Sequence, residues 1–148
     1  ADALASVLAR QRLALDARGI RVETQLTAAT VHADRNQLET VLDNLLSNAI
    51  KFSSEGGCIL VKSALADGAV AVWVCDQGEG IPQAERSRIF EPFFQGARQP
   101  ASTIKGSGLG LSIVREYLLA AGGGIEVIDC PPWSTCFKLT WPLPRDDA

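Results

Sequence analysis

Asn44-Leu-Leu-Ser-Asn48-Ala-Ile-Lys51 lies inside a run with helical periodicity, and that run limits the fold more than any other part of the chain. At 3.6 residues per turn, positions 48 and 51 fall about +40° and −20° from position 44 around the axis. Asn44, Asn48 and Lys51 therefore form one polar stripe. Leu38, Val41, Leu42, Leu45, Ala49 and Phe52 form an apolar face centred roughly 100° away. The stripe borders the core-facing side instead of opposing it. Two amides and an ammonium are poor choices for that border unless something polar docks there.

Two glycine motifs follow. Asp76-Gln-Gly78-Glu-Gly80 comes straight after the strand-like run 70–75. An Asp at a strand end, with glycines that let the chain fold back, puts a carboxylate in a pocket floor. A carboxylate only accepts hydrogen bonds, so it selects a donor such as the exocyclic amine of adenine and rejects a guanine carbonyl. Taken alone, the segment is equally an ordinary strand-end turn. Gly106-Ser-Gly108-Leu-Gly110-Leu111 then opens a helix. Glycines let backbone amides approach phosphate oxygens, and a helix N-terminus favours an anion. It is not a P-loop, because Lys105 precedes the glycines and no Gly-Lys-Ser/Thr closes them. Nor is it a dinucleotide fingerprint, since the spacing is Gly-x-Gly-x-Gly and no strand precedes it. The segment 91–105 has no clear period and carries Pro92, Gly96 and Pro100, so it is read as a mobile lid ending near residue 107. An amide oxygen on the α-helical stripe suits Mg²⁺, which keeps several waters and takes few protein ligands. Lys51, one turn on, reaches the phosphates such a metal bridges. Each motif alone is weak; in this order they point to ATP and a divalent metal.

Composition narrows the alternatives. The 148 residues read as a single domain, 1–148, long enough to bury a core without disulfides. A net charge of −3, with scattered basic residues, gives no field for a nucleic-acid partner. No apolar run reaches the roughly 18 residues of a membrane span, and no signal peptide opens the chain. There is no Met and the chain starts mid-helix, so it is expected to be part of a longer polypeptide, whose membrane anchoring stays open. Of the four cysteines, Cys58 and Cys75 fall in apolar strands and are expected as buried free thiols. Cys130 and Cys136 flank a Pro-Pro-Trp turn, across which they can meet; reduced thiols are expected there too. No Cys-x-x-Cys pair exists, and the one His, His32, leaves no zinc-finger spacing.

The periodicity predicts helices over 3–18, 34–52, 82–89 and 109–121. Gly19 is the expected cap of the first and Asp34 that of the second. Strands are predicted over 20–26, 31–33, 58–66, 69–75, 125–129 and 135–141. Asp67-Gly68 is a hairpin signal between the third and fourth. Along 20–26, Ile20, Val22, Thr24 and Leu26 share one face. Hairpin strands with helices packed on one face make an α+β two-layer sandwich with a mixed, mostly antiparallel sheet.

Four segments carry a family resemblance. Asp43-Asn-Leu-Leu-Ser-Asn-Ala-Ile-Lys-Phe-Ser53 resembles the N box of sensor histidine kinases. Asp76-Gln-Gly-Glu-Gly-Ile-Pro82 is similar to their G1 box, Ile89-Phe-Glu-Pro-Phe-Phe-Gln95 to the F box, and Gly106 to Leu111 to the G2 box. The chain thus resembles the catalytic and ATP-binding domain of that family, with a Bergerat-type fold shared with DNA gyrase, MutL and a heat-shock chaperone. The resemblance implies ATP and Mg²⁺ as cofactors, with Asn48 on the metal, Asn44 beside the reacting phosphate and Lys51 on phosphate. It implies that Phe52 lines the pocket and that Asp76 binds the adenine amine. Gly78, Gly80, Ile81, Gly106, Gly108, Leu109, Gly110 and Leu111 would shape the pocket and lid hinges, Phe90 and Phe94 would anchor the lid, and Lys105 would approach phosphate. It further implies a His acceptor on a separate dimerisation domain, a response regulator reached indirectly, and a cytoplasmic domain whose parent sits in a bacterial inner membrane. Two departures stand out: Cys130-Pro-Pro-Trp-Ser-Thr-Cys136 replaces the family's glycine-containing turn, and no phosphoacceptor His is present. Gyrase-like ATPases place a Glu base where Asn44 stands, and an amide cannot take a proton from water, so efficient hydrolysis is not expected. The alternative is a non-catalytic or serine-kinase-like regulatory module of the same fold.

Overall fold

The structure, a computed structural model, describes residues 2–26, 35–53, 56–66, 68–78, 84, 86, 89–90 and 110–142. The expected strand at 31–33, Asp34, most of the helix at 82–89 and the whole lid at 91–107 lie outside them. Among the described residues, the elements in chain order are α1 (Asp2–Arg18), β1 (Arg21–Gln25), α2 (Arg35–Phe52), β2 (Cys58–Ala66), β3 (Ala69–Asp76), α3 (Gly110–Ala120), β4 (Gly124–Cys130) and β5 (Trp133–Pro142). The strands form one sheet in the order β1-β2-β3-β5-β4. β1 runs parallel to β2, and the other three pairings are antiparallel. This is the expected α+β arrangement with a mixed, mostly antiparallel sheet.

One core joins the helices to one face of the sheet. Leu4, Val7 and Leu15 enter it from α1, Leu45 and Leu46 from α2, and Val114 and Leu118 from α3. They meet Ile59, Val61, Val74, Phe137 and Leu139 from the strands. The strand residues alternate, as a sheet covered on one side by helices requires. α2 touches α1, α3 and β3, so its buried face is wider than periodicity alone predicts: Leu46 and Ile50 are buried as well as Val41, Leu42, Leu45 and Ala49. β1 departs in the other direction. Ile20 is buried and Val22 packs on the core, but Thr24 is exposed and Leu26 is 42% exposed. Among the described residues β1 is an edge strand, paired with β2 alone.

The C-terminal ends of α1 and α3 close in the same way. Gly19 (φ 63°) follows α1, with Gly19 N–H donating to Asp16 and Ile20 N–H to Leu15. Gly122 (φ 83°) follows α3, with Gly122 N–H donating to Leu119 and Gly123 N–H to Leu118. These paired bonds satisfy carbonyls that the last helical turn leaves open, and the left-handed residue costs glycine little. Gly123 has a second reason to lack a side chain: a Cβ there would stand 1.8 Å from the Thr140 carbonyl oxygen. α3 is thereby pressed against β5.

The cysteine expectation is corrected. Cys75 and Cys136 are not free thiols; they face each other across β3 and β5, with Cα atoms 4.2 Å apart, and form a disulfide. That spacing belongs to a non-hydrogen-bonded cross-strand pair, where side chains approach most closely. Cys58 and Cys130 are free. Cys130 and Cys136 are not register partners and are not bonded to each other: Cys130 pairs with Trp133 and leaves Pro131 and Pro132, joined by a cis peptide, as the two turn residues. The β4–β5 hairpin therefore closes without glycine, with a register irregularity between Ile128 and Cys130.

Candidate functional site

The asparagine stripe stands as the helical geometry requires. Asn44, Asn48 and Lys51 are each half-buried, between the buried faces of α2 and its exposed flank. α1 braces the helix from the other side: Arg10 pairs with Glu39 at 3.0 Å and Gln11 donates to Asp43 at 3.0 Å. The Arg18 guanidinium donates to the Ile50 and Ser53 carbonyls. Arg18 thus caps the turn that carries Lys51, where a cation also meets the negative end of the helix dipole. Asn44 donates its amide N–H to the Thr40 carbonyl at 2.9 Å. That bond orients the group and leaves its oxygen as the acceptor.

Asp76 ends β3 and is 1% exposed. Its Oδ1 accepts from the Gly78 N–H at 3.0 Å, so the first glycine of the motif serves the carboxylate directly. The strand-end turn is thus present, and the carboxylate that closes it is buried. Across the strand pair, Asp76 is in register with Thr135, also 1% exposed. Asp76 shares the side-chain parity of Val74, and Thr135 that of Phe137, so both point to the helix-covered face. The Thr135 hydroxyl finds no partner among the described residues. Sequence reading passed over Thr135 because a lone Thr in a strand is unremarkable. The available signal was its period-two placement with Phe137 and Leu139.

Phe90 is 8% exposed and meets Phe137 edge-on, with ring centroids 6.3 Å apart. It is anchored in the core at the end of the described stretch 89–90. Arg86 bonds Asp129 at 2.8 Å, tying the same stretch to β4. That hydrogen bond, with the Arg86 charge, holds the Asp129 carboxyl below its ordinary range. Leu111 packs against the core from the first turn of α3, and Gly110 is that helix's first residue. Gly80, Ile81, Phe94, Lys105, Gly106, Gly108 and Leu109 lie outside the described residues, as does the side chain of Phe52. Among the described residues no cluster of three His, Cys, Asp or Glu could hold a metal.

The chain belongs to the family of histidine kinase-, DNA gyrase B- and HSP90-like ATPases, whose profile matches residues 33–145, and within it to the ATPase domains of sensor histidine kinases. It is 37% identical over 141 residues to the sensor histidine kinase GlrK of Escherichia coli K12, covering 95% of this chain and 30% of GlrK. It is 38% identical over 139 residues to the alginate biosynthesis sensor protein KinB of Pseudomonas aeruginosa, covering 91% of this chain and 23% of KinB. The chain thus spans less than a third of these relatives. The mycobacterial sensor histidine kinase MprB superposes with a TM-score of 0.84 at 32% identity, over 97% of this chain and 95% of that one. Full-length ShkA, solved in complex with AMPPNP, superposes with a TM-score of 0.81 at 29% identity, over 99% of this chain and 30% of ShkA.

Proposed function

We propose that this chain binds Mg-ATP and passes the γ-phosphate to a histidine on a separate dimerisation domain of its parent kinase. The observation that carries the reading is the pair at the sheet's end, a buried carboxylate opposite a buried hydroxyl without a described partner. A carboxylate that accepts and a hydroxyl that donates match the edge of adenine, an amine beside a ring nitrogen. An unpaired buried hydroxyl costs about 1–3 kcal/mol, which a base accepting from it removes.

The remaining roles follow from position. Asn48 would hold Mg²⁺ through its amide oxygen, and Asn44, oriented by Thr40, would support it near the phosphates. Lys51 contacts phosphate and Phe52 lines the pocket. Gly78, Gly80 and Ile81 shape the floor below adenine, and Phe90 and Phe94 anchor the lid. Lys105, Gly106, Gly108, Leu109, Gly110 and Leu111 would serve the phosphates, the last two from the start of α3. When bound, ATP would supply the phosphoryl group and Mg²⁺ would neutralise charge on the phosphate oxygens. The protein's part is positioning, since phosphoryl transfer asks for little covalent help. The nucleophile comes from the histidine domain, a response regulator takes the phosphate onward, and the parent sits in a bacterial inner membrane with this domain in the cytoplasm. Among the described residues, no helix is long and apolar enough to cross a membrane.

Asn48→Ala is expected to weaken ATP binding in Mg²⁺ far more than in EDTA. An equal loss in both would make Asn48 a structural residue and remove it from the metal. Incubated with γ-labelled ATP, the chain is expected not to label itself. Mixed with the cognate dimerisation domain, it should place acid-labile, base-stable label on that domain. The reaction should be weak in trans, because a short tether is worth an effective concentration of about millimolar. Stoichiometric label on the chain itself, or none on the added domain, would defeat the proposed transfer.

A further inference from the structure

The face of the sheet turned away from the helices carries its own small cluster. Leu60 of β2, Cys75 of β3, Cys136 of β5 and Ile128 of β4 stand in one cross-strand row. Cys75 and Cys136 are each 1% exposed, and Trp73, Trp133, Ile128 and Cys130 pack over them and Leu60. Cys130 is partly exposed and keeps its thiol. A buried disulfide, a free thiol packed on its cluster and a path from that thiol to solvent thus occur together. They lie directly behind the adenine subsite: Asp76 follows Cys75, Thr135 precedes Cys136, and these two form the next register pair.

We propose that Cys75, Cys136 and Cys130 form a thiol–disulfide exchange site for a low-molecular-weight thiol and its disulfide, and that the state of this site sets nucleotide affinity. The second half rests on the ATP reading above. Exchange proceeds by thiolate attack on a disulfide sulfur and depends on access. The buried pair is shielded from a soluble thiol, and Cys130 is not. After giving its proton to water, the Cys130 thiolate attacks the sulfur of Cys136, a member of the cluster on which Cys130 packs from the adjoining strand. The Cys130–Cys136 bond forms as the Cys75–Cys136 bond breaks, and the electron pair leaves on Cys75, which takes up a proton. A soluble thiolate then attacks the Cys130 sulfur, making a mixed disulfide there and releasing Cys136, which is protonated. A second soluble thiol frees Cys130. The balance is two soluble thiols oxidised to one small disulfide and one protein disulfide reduced to two thiols. The reverse sequence, with the small disulfide as oxidant, restores the bond. Disulfides in reducing compartments are usually transient and redox-sensing.

The link to the site is mechanical. Bonded sulfurs hold β3 and β5 together beside the Asp76–Thr135 pair. Unbonded sulfurs must part to van der Waals contact, and a close-packed cluster passes that shift to the adjoining backbone. The oxidised form therefore keeps the adenine subsite better ordered.

The test treats the chain with oxidised or reduced glutathione, alkylates it, maps its peptides by mass spectrometry and titrates each form with a fluorescent ATP analogue. A linked Cys75–Cys136 peptide is expected after oxidation, and nucleotide binding roughly three- to tenfold weaker after reduction, the loss expected of a less ordered site. Cys130→Ser should reach the same two end states, with reduction slowed about tenfold or more because the relay is gone. Cys136→Ser should bind nucleotide equally in both glutathione states. Absence of the linked peptide, an unchanged reduction rate in Cys130→Ser, or equal affinity of the two forms would overturn the proposal. A chain that binds nucleotide in neither state counts against the ATP reading instead; the exchange site then stands or falls on the linked peptide and the Cys130→Ser rate.

Discussion

Asp76→Ala is expected to weaken binding of an ATP analogue by about 1.5–3 kcal/mol, the range for losing a hydrogen bond to a charged group. That is roughly a 10- to 150-fold rise in Kd. The carboxylate is 1% exposed at the end of β3, and one of its oxygens is oriented by Gly78. Asp76→Asn is a poorer test, because an amide can flip and still present an acceptor. The Ala variant also removes the acceptor of the Gly78 N–H, so its melting curve must be measured beside its affinity. Thr135→Val separates the two effects. It deletes a hydroxyl that has no partner among the described residues while keeping the β-branched shape. Stability should hold or rise, and affinity for the ATP analogue should fall. If folded Asp76→Ala binds as tightly as the parent, the adenine assignment is wrong. If Thr135→Val loses stability and no affinity, its hydroxyl is structural.

The largest loss of stability is expected from Leu46→Ala, at about 2–5 kcal/mol. Leu46 is completely buried at the middle of α2, the helix that touches α1, α3 and β3 together. Few neighbours can move in to fill the space, because each is held by another element. For a chain of this size the loss corresponds to a fall in Tm of roughly 2–4 °C per kcal/mol. Leu13→Ala on α1 is the control: its side chain is 85% exposed, and the change should stay within about 0.5 kcal/mol. Denaturant titration of both variants gives the comparison. A Leu46→Ala chain as stable as the control would mean that α2 is not the centre of the core.

The N-box and G1 segments illustrate how much was legible in order along the chain. Three consecutive facts placed α2: helical period, an apolar face and a polar border of Asn44, Asn48 and Lys51. All of them are local, so spacing alone reveals them. The same holds for Asp76 at a strand end and for Gly19 as a helix cap. Leu46 and Ile50 were missed for the opposite reason. Their burial depends on α1 and α3 both packing on α2, which no window of α2 encodes.

Sequence by itself thus determined the described elements, the polar stripe, the two glycine motifs and the family they resemble, because each is written in neighbouring residues. Tertiary structure alone decided which residues meet across the sheet. Cys75 and Cys136 are 61 positions apart, and only the β3–β5 register brings them into bonding distance. The same register sets Thr135 opposite Asp76, so the hydroxyl beside the carboxylate belongs to no motif. In a strand pair a one-residue slip turns every side chain to the other face. What stands on each side of this sheet, carboxylate–hydroxyl pair or cysteine cluster, was therefore a matter of register and not of local pattern.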